Sequence, residues 1–364
     1  MKKLCILPFT KREMPLLEFL KRKYIIEALV SPKGIGFDGE DISVLNNCEK
    51  TGLSFSNQVI SSIERSDTII VTDITEGMNS LRSFAFTGLR CAVDKGKDVY
   101  CFLNLDIEEK RELERLRDIS GGNLVIISTD GFNKYDDIKA RNLFDFNAPV
   151  LYICEEVPEC DGYAVFLRLA QIIQSKGKRV LAISNDRYNK VLSHVYVNFD
   201  VNTTISKQLF RFNFIVHELE YKYHPDIILI KLPYPLMRFN EDNVFDCGVS
   251  AYLTSQAVPG EGCIYCTHAM PLPEEFWRTY TDGVLVKYGY PLLAVHVSNR
   301  MIDSTGDESL GVIRIPKQEV ENRVKDIKNS AHLPFFYLLN DDQIEELGDL
   351  IISEFIDIPY GVIQ

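Results

Sequence analysis

The chain has 364 residues, 46% of them hydrophobic and 25% charged, and its formal net charge is −12. This length suits two domains, and the composition excludes a disordered or fibrous chain. The first apolar run, Leu4–Phe9, is shorter than the roughly seven apolar residues of a secretory signal. No later run approaches the roughly 18 apolar residues of a membrane span, so we predict a cytoplasmic protein.

Short apolar runs alternate with helical patterns in the first half of the chain, which is typical of a mostly parallel sheet flanked by helices. We predict a Rossmann-like α/β domain over residues 1–148. Its predicted strands are Leu4–Phe9, Ile25–Val30, Thr68–Thr72, Val99–Leu105 and Leu124–Ser128, and its predicted helices are Pro15–Arg22, Ser61–Arg65, Phe84–Lys95 and Ile107–Ile119.

The second half repeats this alternation, and we predict a second α/β domain over residues 149–364. The chain as a whole is then α/β, with two open, mostly parallel sheets. The predicted strands are Val150–Cys154, Val180–Ser184, Asp226–Ile230, Cys263–Thr267, Pro291–Val297, Gly311–Ile315 and Pro334–Leu339, and the predicted helices are Tyr163–Lys176, Ser206–Tyr223, Gly248–Val258 and Asp341–Phe355.

The acidic excess lies in the second half. Residues 1–148 contain 21 basic and 23 acidic side chains, whereas the remainder contains 19 and 29. Nucleic acids and anionic membranes are polyanions, so this charge disfavours both as partners. A cationic peptide or a basic protein surface is the partner that the charge favours.

The cysteines and histidines do not predict a metal site. Cys263 and Cys266 have a metal-like spacing, but residues three apart in a strand point to opposite faces of the sheet. We predict buried, reduced thiols there, and satisfied core or edge histidines at His268 and His296. Trp277, at a helix start, is predicted to pack in the core. The alternative is an exposed anchor for a peptide.

The turn after strand Val150–Cys154 is where a parallel sheet would bind phosphate. A phosphate cradle needs glycines, whose N–H groups face the anion, and a lysine. The turn Glu155–Gly162 reads EEVPECDG, with one glycine, a proline, no lysine and four carboxylates. Like charges about 4 Å apart repel by about 1 kcal/mol even in water. We therefore expect this turn to reject a nucleoside triphosphate.

The end of strand Asp226–Ile230 lacks the acid that holds Mg²⁺ in nucleotide hydrolases. Lys231 stands at that position, and a lysine does not ligate a hard cation. The sequence therefore predicts no catalytic residue, no metal and no cofactor in the second domain. The simplest interpretation is a structural turn on an inert scaffold.

A literal G-x-G-x-x-G sequence, Gly34–Gly39, follows the second predicted strand. The residues after it are too few for a helix and end in turn residues, so a glycine loop is favoured over a dinucleotide fingerprint. The loop remains a candidate for a small anion pocket. The candidate binding residues lie after three predicted strands: Thr10, Lys11, Lys33, Gly34, Gly36, Gly39 and Asp73.

Several segments resemble one bacterial family. These are KLCILPFT over 3–10, SPKG over 31–34, PDIILI over 225–230 and GVSAYLTSQAVP over 248–259. They resemble the peptide maturation system proteins encoded beside radical SAM maturases and Cys-rich precursor peptides. The resemblance implies that context but no active-site residues. In layout, the second half is also similar to dimeric P-loop hydrolases of the Mrp and signal-recognition type, without their phosphate and Mg²⁺ motifs.

Three hypotheses about function follow. The first is an accessory protein in the maturation of a ribosomally made peptide, which binds the precursor peptide or the radical SAM maturase without hydrolysing nucleotide. The second is an enzyme that binds a nucleotide or another phosphorylated small molecule in the first domain. The third is a degenerate nucleotide hydrolase that acts as a structural homodimer.

Overall fold

The computed structural model describes most of the chain. The described residues are 1–32, 38–45, 50–73, 79–127, 142–158, 160–192, 194–197, 204–242, 244–269, 272–303, 311–328 and 333–357. By the density of internal contacts the chain divides into two compact units, residues 1–131 with 190–193, and residues 132–189 with 194–364. The predicted domain boundary at 148/149 falls just before the first strand of the second sheet.

The first unit is built on a six-stranded sheet of order β3-β2-β1-β4-β5-β6, in which every neighbouring pair is parallel. Its strands are β1 Lys2–Leu7, β2 Tyr24–Val30, β3 Phe55–Ser56, β4 Thr68–Val71, β5 Asp98–Cys101 and β6 Leu124–Ile126. Its helices are α1 Met14–Lys23, α2 Val59–Glu64, α3 Asn79–Asp94 and α4 Ile107–Ser120.

The ends of α4 illustrate how local sequence sets these elements. Asp106 caps its N-terminus, and Glu109 completes the capping box by accepting the N–H of Asp106. The helix ends at Gly121, which takes a left-handed φ of 75°. An Asp-x-x-Glu start and a glycine stop satisfy the backbone groups that a helix leaves unpaired.

The second unit is built on a seven-stranded parallel sheet of order β15-β12-β11-β7-β10-β8-β9. Its strands are β7 Val150–Glu155, β8 Val180–Ser184, β9 Val195–Tyr196, β10 Ile227–Lys231, β11 Gly262–Thr267, β12 Leu292–Val297 and β15 Phe335–Phe336. The helices between them and after them are α5 Gly162–Ser175, α6 Asn189–Leu192, α7 Ile205–Tyr223, α8 Val249–Ala257, α9 Glu274–Tyr288, α10 Lys317–Lys328 and α11 Asp341–Ile351.

The predicted fold class is confirmed: the chain is α/β, with two parallel sheets flanked by helices. One predicted strand belongs elsewhere. The run Gly311–Ile315 forms β14, Gly311–Arg314, but it pairs antiparallel with β13, Arg300–Asp303, in a separate two-stranded sheet. Periodicity identifies a strand without naming its partner, which explains the error.

Both sheets have buried cores, and the side chains predicted to be buried lie in them. Trp277 is 4% exposed and packs edge-on against Phe335, so the alternative of an exposed peptide anchor is wrong. Cys263 and Cys266 are both buried, and Cys263 contacts Cys154 of the adjacent strand. Within the described ranges no group of three or more candidate ligands is arranged to hold a metal ion, and no helix is long and apolar enough to cross a membrane.

Candidate functional site

The candidate site lies at the carboxyl ends of four neighbouring strands of the second sheet. Because β10, β7, β11 and β12 are parallel and adjacent, their last residues meet at one edge. After β10, the chain crosses over β7 to form β11 on its other side. Ligands of open α/β sheets bind at such a reversal of strand order.

Glu155, the last residue of β7, folds back into its own turn. Its Oε1 accepts the N–H of Gly162, the first residue of α5, at 2.9 Å. Its Oε2 lies 3.0 Å from Nζ of Lys231, the last residue of β10. The two side chains are 15% and 10% exposed, so the ion pair is largely withdrawn from water. A carboxylate therefore stands between a helix N-terminus and a lysine.

Gly162 is required for this arrangement on steric grounds. A Cβ at position 162 would lie 2.4 Å from Cγ of Glu155. Real Cβ atoms do not approach another carbon so closely, so a larger residue would displace the glutamate. The single glycine of the turn thus makes room for the chain's own carboxylate rather than for a bound phosphate.

The contact with Glu155 favours the charged form of Lys231. Burial lowers the pKa of the Lys231 ammonium, but its interactions with Glu155, and to a lesser extent with Asp186 and Cys266, together raise it, and the net direction is upward. The lysine is therefore a buried cation whose first partner is supplied by the protein. A helix N-terminus and a lysine are the groups that bind phosphate in nucleotide-binding turns.

Glu156 contacts two residues at the end of the neighbouring strand β11. Its Oε2 accepts the hydroxyl of Thr267 and contacts Nδ1 of His268. His268 is 2% exposed, and its ring lies edge-on to Phe239. The prediction of a satisfied, buried histidine is confirmed at this position.

Asp161 is contacted by His296 of β12, by Ser298 just after that strand and by Arg300 of β13. Its Oδ2 accepts the hydroxyl of Ser298 and lies 3.5 Å from Nε2 of His296, and its Oδ1 lies 3.6 Å from Arg300. The N–H of Leu338 donates to Nδ1 of His296, so the ring proton is on Nε2 and faces the carboxylate. Burial alone would raise the pKa of Asp161, but His296, Arg300 and Ser298 lower it to about 2.

The sequence predicts that the carboxylates of this turn repel a triphosphate, but the described ones are paired within the protein. Glu155, Glu156 and Asp161 each contact a cationic or hydrogen-bonding partner from another strand. The fourth carboxylate of the turn, Glu159, lies outside the described residues. The N–H of Gly162 and the ammonium of Lys231, which could otherwise contact an anion, are both in contact with Glu155.

In the first unit, candidate residues that the structure describes form hydrogen bonds or ion pairs within that unit. Thr10 donates its N–H and its hydroxyl to Glu13, at 2.9 and 2.6 Å, and its hydroxyl oxygen accepts the N–H of Arg12, in the turn that leads into α1. Asp73 pairs with Arg12 at 3.4 Å. Gly39 has a φ of 78° and donates its N–H to Phe55.

The other residues predicted for that pocket lie largely outside the part of the chain that the structure describes. Lys33, Gly34 and Gly36 lie outside the described residues. Lys11 begins a short 3₁₀ turn, Lys11–Glu13, and its side chain is not described. The anion pocket of the first unit therefore stays a prediction.

Sequence reasoning missed the partners that close the second site. Ser298 and Arg300 carry no motif, and their role depends on β12 lying two strands from β7. Glu13 was overlooked, although Thr10-x-x-Glu13 is the spacing of a capping box. That spacing was the available signal that Thr10 is a structural residue.

Comparison with known proteins gives a fold neighbour and no family. A scan against protein-family models finds no match, and a search of curated proteins finds none. Among solved structures, the chain is similar to a DUF1611 family protein from Anabaena variabilis, with a TM-score of 0.63 and 11% identity over 96% of this chain and 100% of that one. At this identity the likeness shows a shared α/β fold and says nothing about chemistry.

A cobyrinic acid a,c-diamide synthase from Mycobacterium smegmatis, solved with a bound ATP analog and magnesium, is a weaker match. It is 12% identical over 57% of this chain and 96% of its own, with a TM-score of 0.34. This TM-score is too low to transfer nucleotide binding to the present chain.

Proposed function

We propose that this protein is an accessory factor in the maturation of a ribosomally made peptide, which binds the precursor peptide or the radical SAM maturase and does not hydrolyse nucleotide. One observation supports the proposal that the protein does not hydrolyse nucleotide. The Glu155 carboxylate lies between the N–H of Gly162 and the ammonium of Lys231. This contact occupies the groups that would bind a phosphate.

A triphosphate entering this turn would have to displace Glu155. Separating one member from a buried ion pair costs about 3–5 kcal/mol, because the remaining charge is left without a partner. The displaced carboxylate would also stay beside the incoming phosphate, where like charges repel. Lys231 further occupies the strand end from which an acid would hold Mg²⁺.

The proposal that the protein binds a precursor peptide or a maturase has two supports. One is the resemblance to peptide maturation system proteins in the segments around 3–10, 31–34, 225–230 and 248–259. The other is the acidic excess after residue 148, which suits a cationic peptide segment. An enzyme that binds a phosphorylated small molecule in the first unit stays the alternative prediction.

Two measurements test the proposal together. The tagged protein is co-expressed with a radical SAM maturase and its Cys-rich precursor peptide, and the retained partners are identified. In parallel, its thermal unfolding is followed with Mg-ATP, Mg-GTP, NAD(P) and S-adenosylmethionine. We expect retention of the peptide or the enzyme and no thermal shift.

The contrary result is equally clear. A ligand at 100 times its Kd stabilises a protein by about 2.7 kcal/mol. A shift of that size with any of the four ligands, combined with no retained partner, would overturn the accessory function. It would favour the enzyme hypothesis instead.

A further inference from the structure

Helix α8 presents an apolar face to solvent. It contains no charged residue over Val249–Ala257, and it buries Ala251 and Ala257 on its inner side. Val249 and Tyr252 are three residues apart, hence on one face, and are 52% and 43% exposed. The inner side also buries Thr254 and Ser255, and Gln256 is exposed, so the apolar part of the solvent face is Val249 and Tyr252. Large exposed apolar side chains of this kind, where they are contiguous, mark interaction surfaces.

The loop before α8 extends this apolar face. Tyr234, Met237 and Val244 are each between 41% and 48% exposed. The loop packs on the start of the helix so closely that a Cβ at Gly248 would lie 1.9 Å from the carbonyl oxygen of Leu236. We call the exposed apolar side chains of this region the α8 patch: Tyr234, Met237, Val244, Val249 and Tyr252.

The α8 patch is held in a fixed conformation. Asp246 accepts the N–H groups of Gly248 and Ser250, at 3.0 and 2.8 Å. The hydroxyl of Tyr288 donates to the carbonyl of Leu236, which ties the loop to α9. A surface fixed before binding loses little conformational entropy when a partner docks.

The loop that carries Tyr234, Met237 and Val244 also contains two exposed carboxylates. Glu241 and Asp242 are exposed between Met237 and Val244, and Arg238 is the one basic residue between Tyr234 and Tyr252. Among the described residues, neither Glu241 nor Asp242 forms a salt bridge with another side chain. Their charge is therefore available to a partner, and complementary charge steers association and fixes orientation.

We propose that the α8 patch docks a cationic, apolar segment of a precursor peptide. Lysine or arginine side chains of the peptide would pair with Glu241 and Asp242, and its apolar side chains would cover Met237, Val249 and Tyr252. A second copy of this chain fits less well, because a symmetric contact would bring the carboxylates of the two copies together. The proposal rests on the peptide function proposed above and assigns it a surface.

The test uses fluorescence anisotropy with a labelled synthetic peptide of alternating lysine and leucine. Its counterpart, with glutamate in place of lysine, is the probe of opposite charge. The double variant Val249→Ser/Tyr252→Ser removes the apolar face. The matched control, Tyr221→Ser/Val286→Ser, removes a tyrosine and a valine that are 73% and 87% exposed on α7 and α9.

We expect the wild type to prefer the lysine peptide and the patch variant to lose roughly tenfold in affinity, which is about 1.4 kcal/mol. The control should stay within roughly twofold, a change of about 0.4 kcal/mol. The charge variant Glu241→Lys/Asp242→Lys should weaken binding and reduce its salt dependence. The matched charge control is Glu345→Lys/Glu346→Lys on α11.

Several outcomes would contradict the proposal that the α8 patch docks a peptide. Equal losses in patch and control variants, or a preference for the glutamate peptide, would do so. So would a wild-type dimer that the patch variant converts to a monomer, because the patch would then join two copies. If the wild type retains its natural precursor peptide and the patch variants retain it equally, the surface is wrong while the accessory function stands.

Discussion

The two sheets each begin with a strand followed by a turn into a helix, and the two turns use a glutamate differently. After β1, Glu13 accepts the N–H and the hydroxyl of Thr10, three residues earlier, and caps its own turn. After β7, Glu155 spans from the helix N-terminus at Gly162 to Lys231 on another strand. The first glutamate is a local cap, whereas the second fills an anion site.

This difference shows how a side-chain carboxylate can occupy the anion-binding groups of a turn while the fold stays the same. A buried anion is needed to balance Lys231 and the first N–H groups of α5, and phosphate is the usual one. A side-chain carboxylate supplies the same charge from within the chain. In this turn the carboxylate of Glu155 contacts both of those groups.

The largest expected effect is from breaking the pair at its cation. Lys231→Met leaves Glu155 buried without its cation, which should lower the free energy of unfolding by about 3–5 kcal/mol. The double variant Lys231→Met/Glu155→Gln should recover most of that loss. The comparison in the first unit is Arg12→Met, whose partner Asp73 forms a half-exposed pair worth about 0–1 kcal/mol. Urea unfolding measures all three, and a loss below 1 kcal/mol in Lys231→Met would show that the pair is unimportant.

Acid should weaken the second unit through Asp161. Because the pKa of its carboxyl is lowered to about 2 in the folded protein, its stabilising effect is complete above the unfolded pKa of about 3.8 and is lost as the pH falls toward 2. A shift of this size corresponds to roughly 2–3 kcal/mol at neutral pH. Asp161→Asn should remove this part of the acid dependence, as measured by denaturant unfolding between pH 5 and pH 2. An unchanged slope would contradict the assigned role of His296, Arg300 and Ser298.

The two turn glycines should respond to alanine for different reasons. In Gly162→Ala the new Cβ meets Cγ of Glu155, and overpacking of this kind costs about 1–3 kcal/mol. In Gly39→Ala nothing lies within 4 Å of the new Cβ, but the left-handed φ costs about 1–2 kcal/mol. In a Glu155→Ala background, which itself loses the ion pair with Lys231, Gly162→Ala should cost little further stability, whereas Gly39→Ala should cost as much as it does in the wild type. Equal behaviour of both glycines in thermal melts would argue against the steric account.

The smallest effect is expected at the local cap. Glu13→Gln keeps an oxygen that can accept the N–H of Thr10, so its cost should be below about 1 kcal/mol, whereas Thr10→Ala removes a cap and costs about 1 kcal/mol. Neither variant should gain affinity for phosphate, because Glu13 is not the closing group of an anion site. Phosphate binding by Thr10→Ala, detected by calorimetry, would remove the contrast between the two turns.

Most of the fold was readable from the sequence because its strands are apolar and β-branched. Runs such as Thr68–Val71 and Ile227–Lys231 have no other reasonable interpretation in an alternating pattern. The edge strands Phe55–Ser56 and Val195–Tyr196 were missed because two residues carry no period. Helix Lys317–Lys328 was missed because Val320 and Val324 are the main apolar residues of its buried face.

The site was readable only in part. The acidic turn and Lys231 are visible in the sequence, and from them the sequence predicts a turn that does not bind phosphate, which stays a prediction. The pairing of Glu155 with Lys231 depends on β10 lying beside β7, and the contact of Asp161 with Ser298 depends on β12. Strand order is a property of the whole sheet, so local patterns do not reveal it.

The most direct test of the closed anion site compares Glu155→Ala with Glu155→Gln. Alanine removes the internal anion and leaves Lys231 and the N–H of Gly162 without it, whereas glutamine keeps an oxygen of the same reach. Inorganic phosphate should raise the thermal midpoint of Glu155→Ala and leave the wild type and Glu155→Gln unchanged. A phosphate or Mg-ATP response of the wild type that equals that of Glu155→Ala would contradict the account.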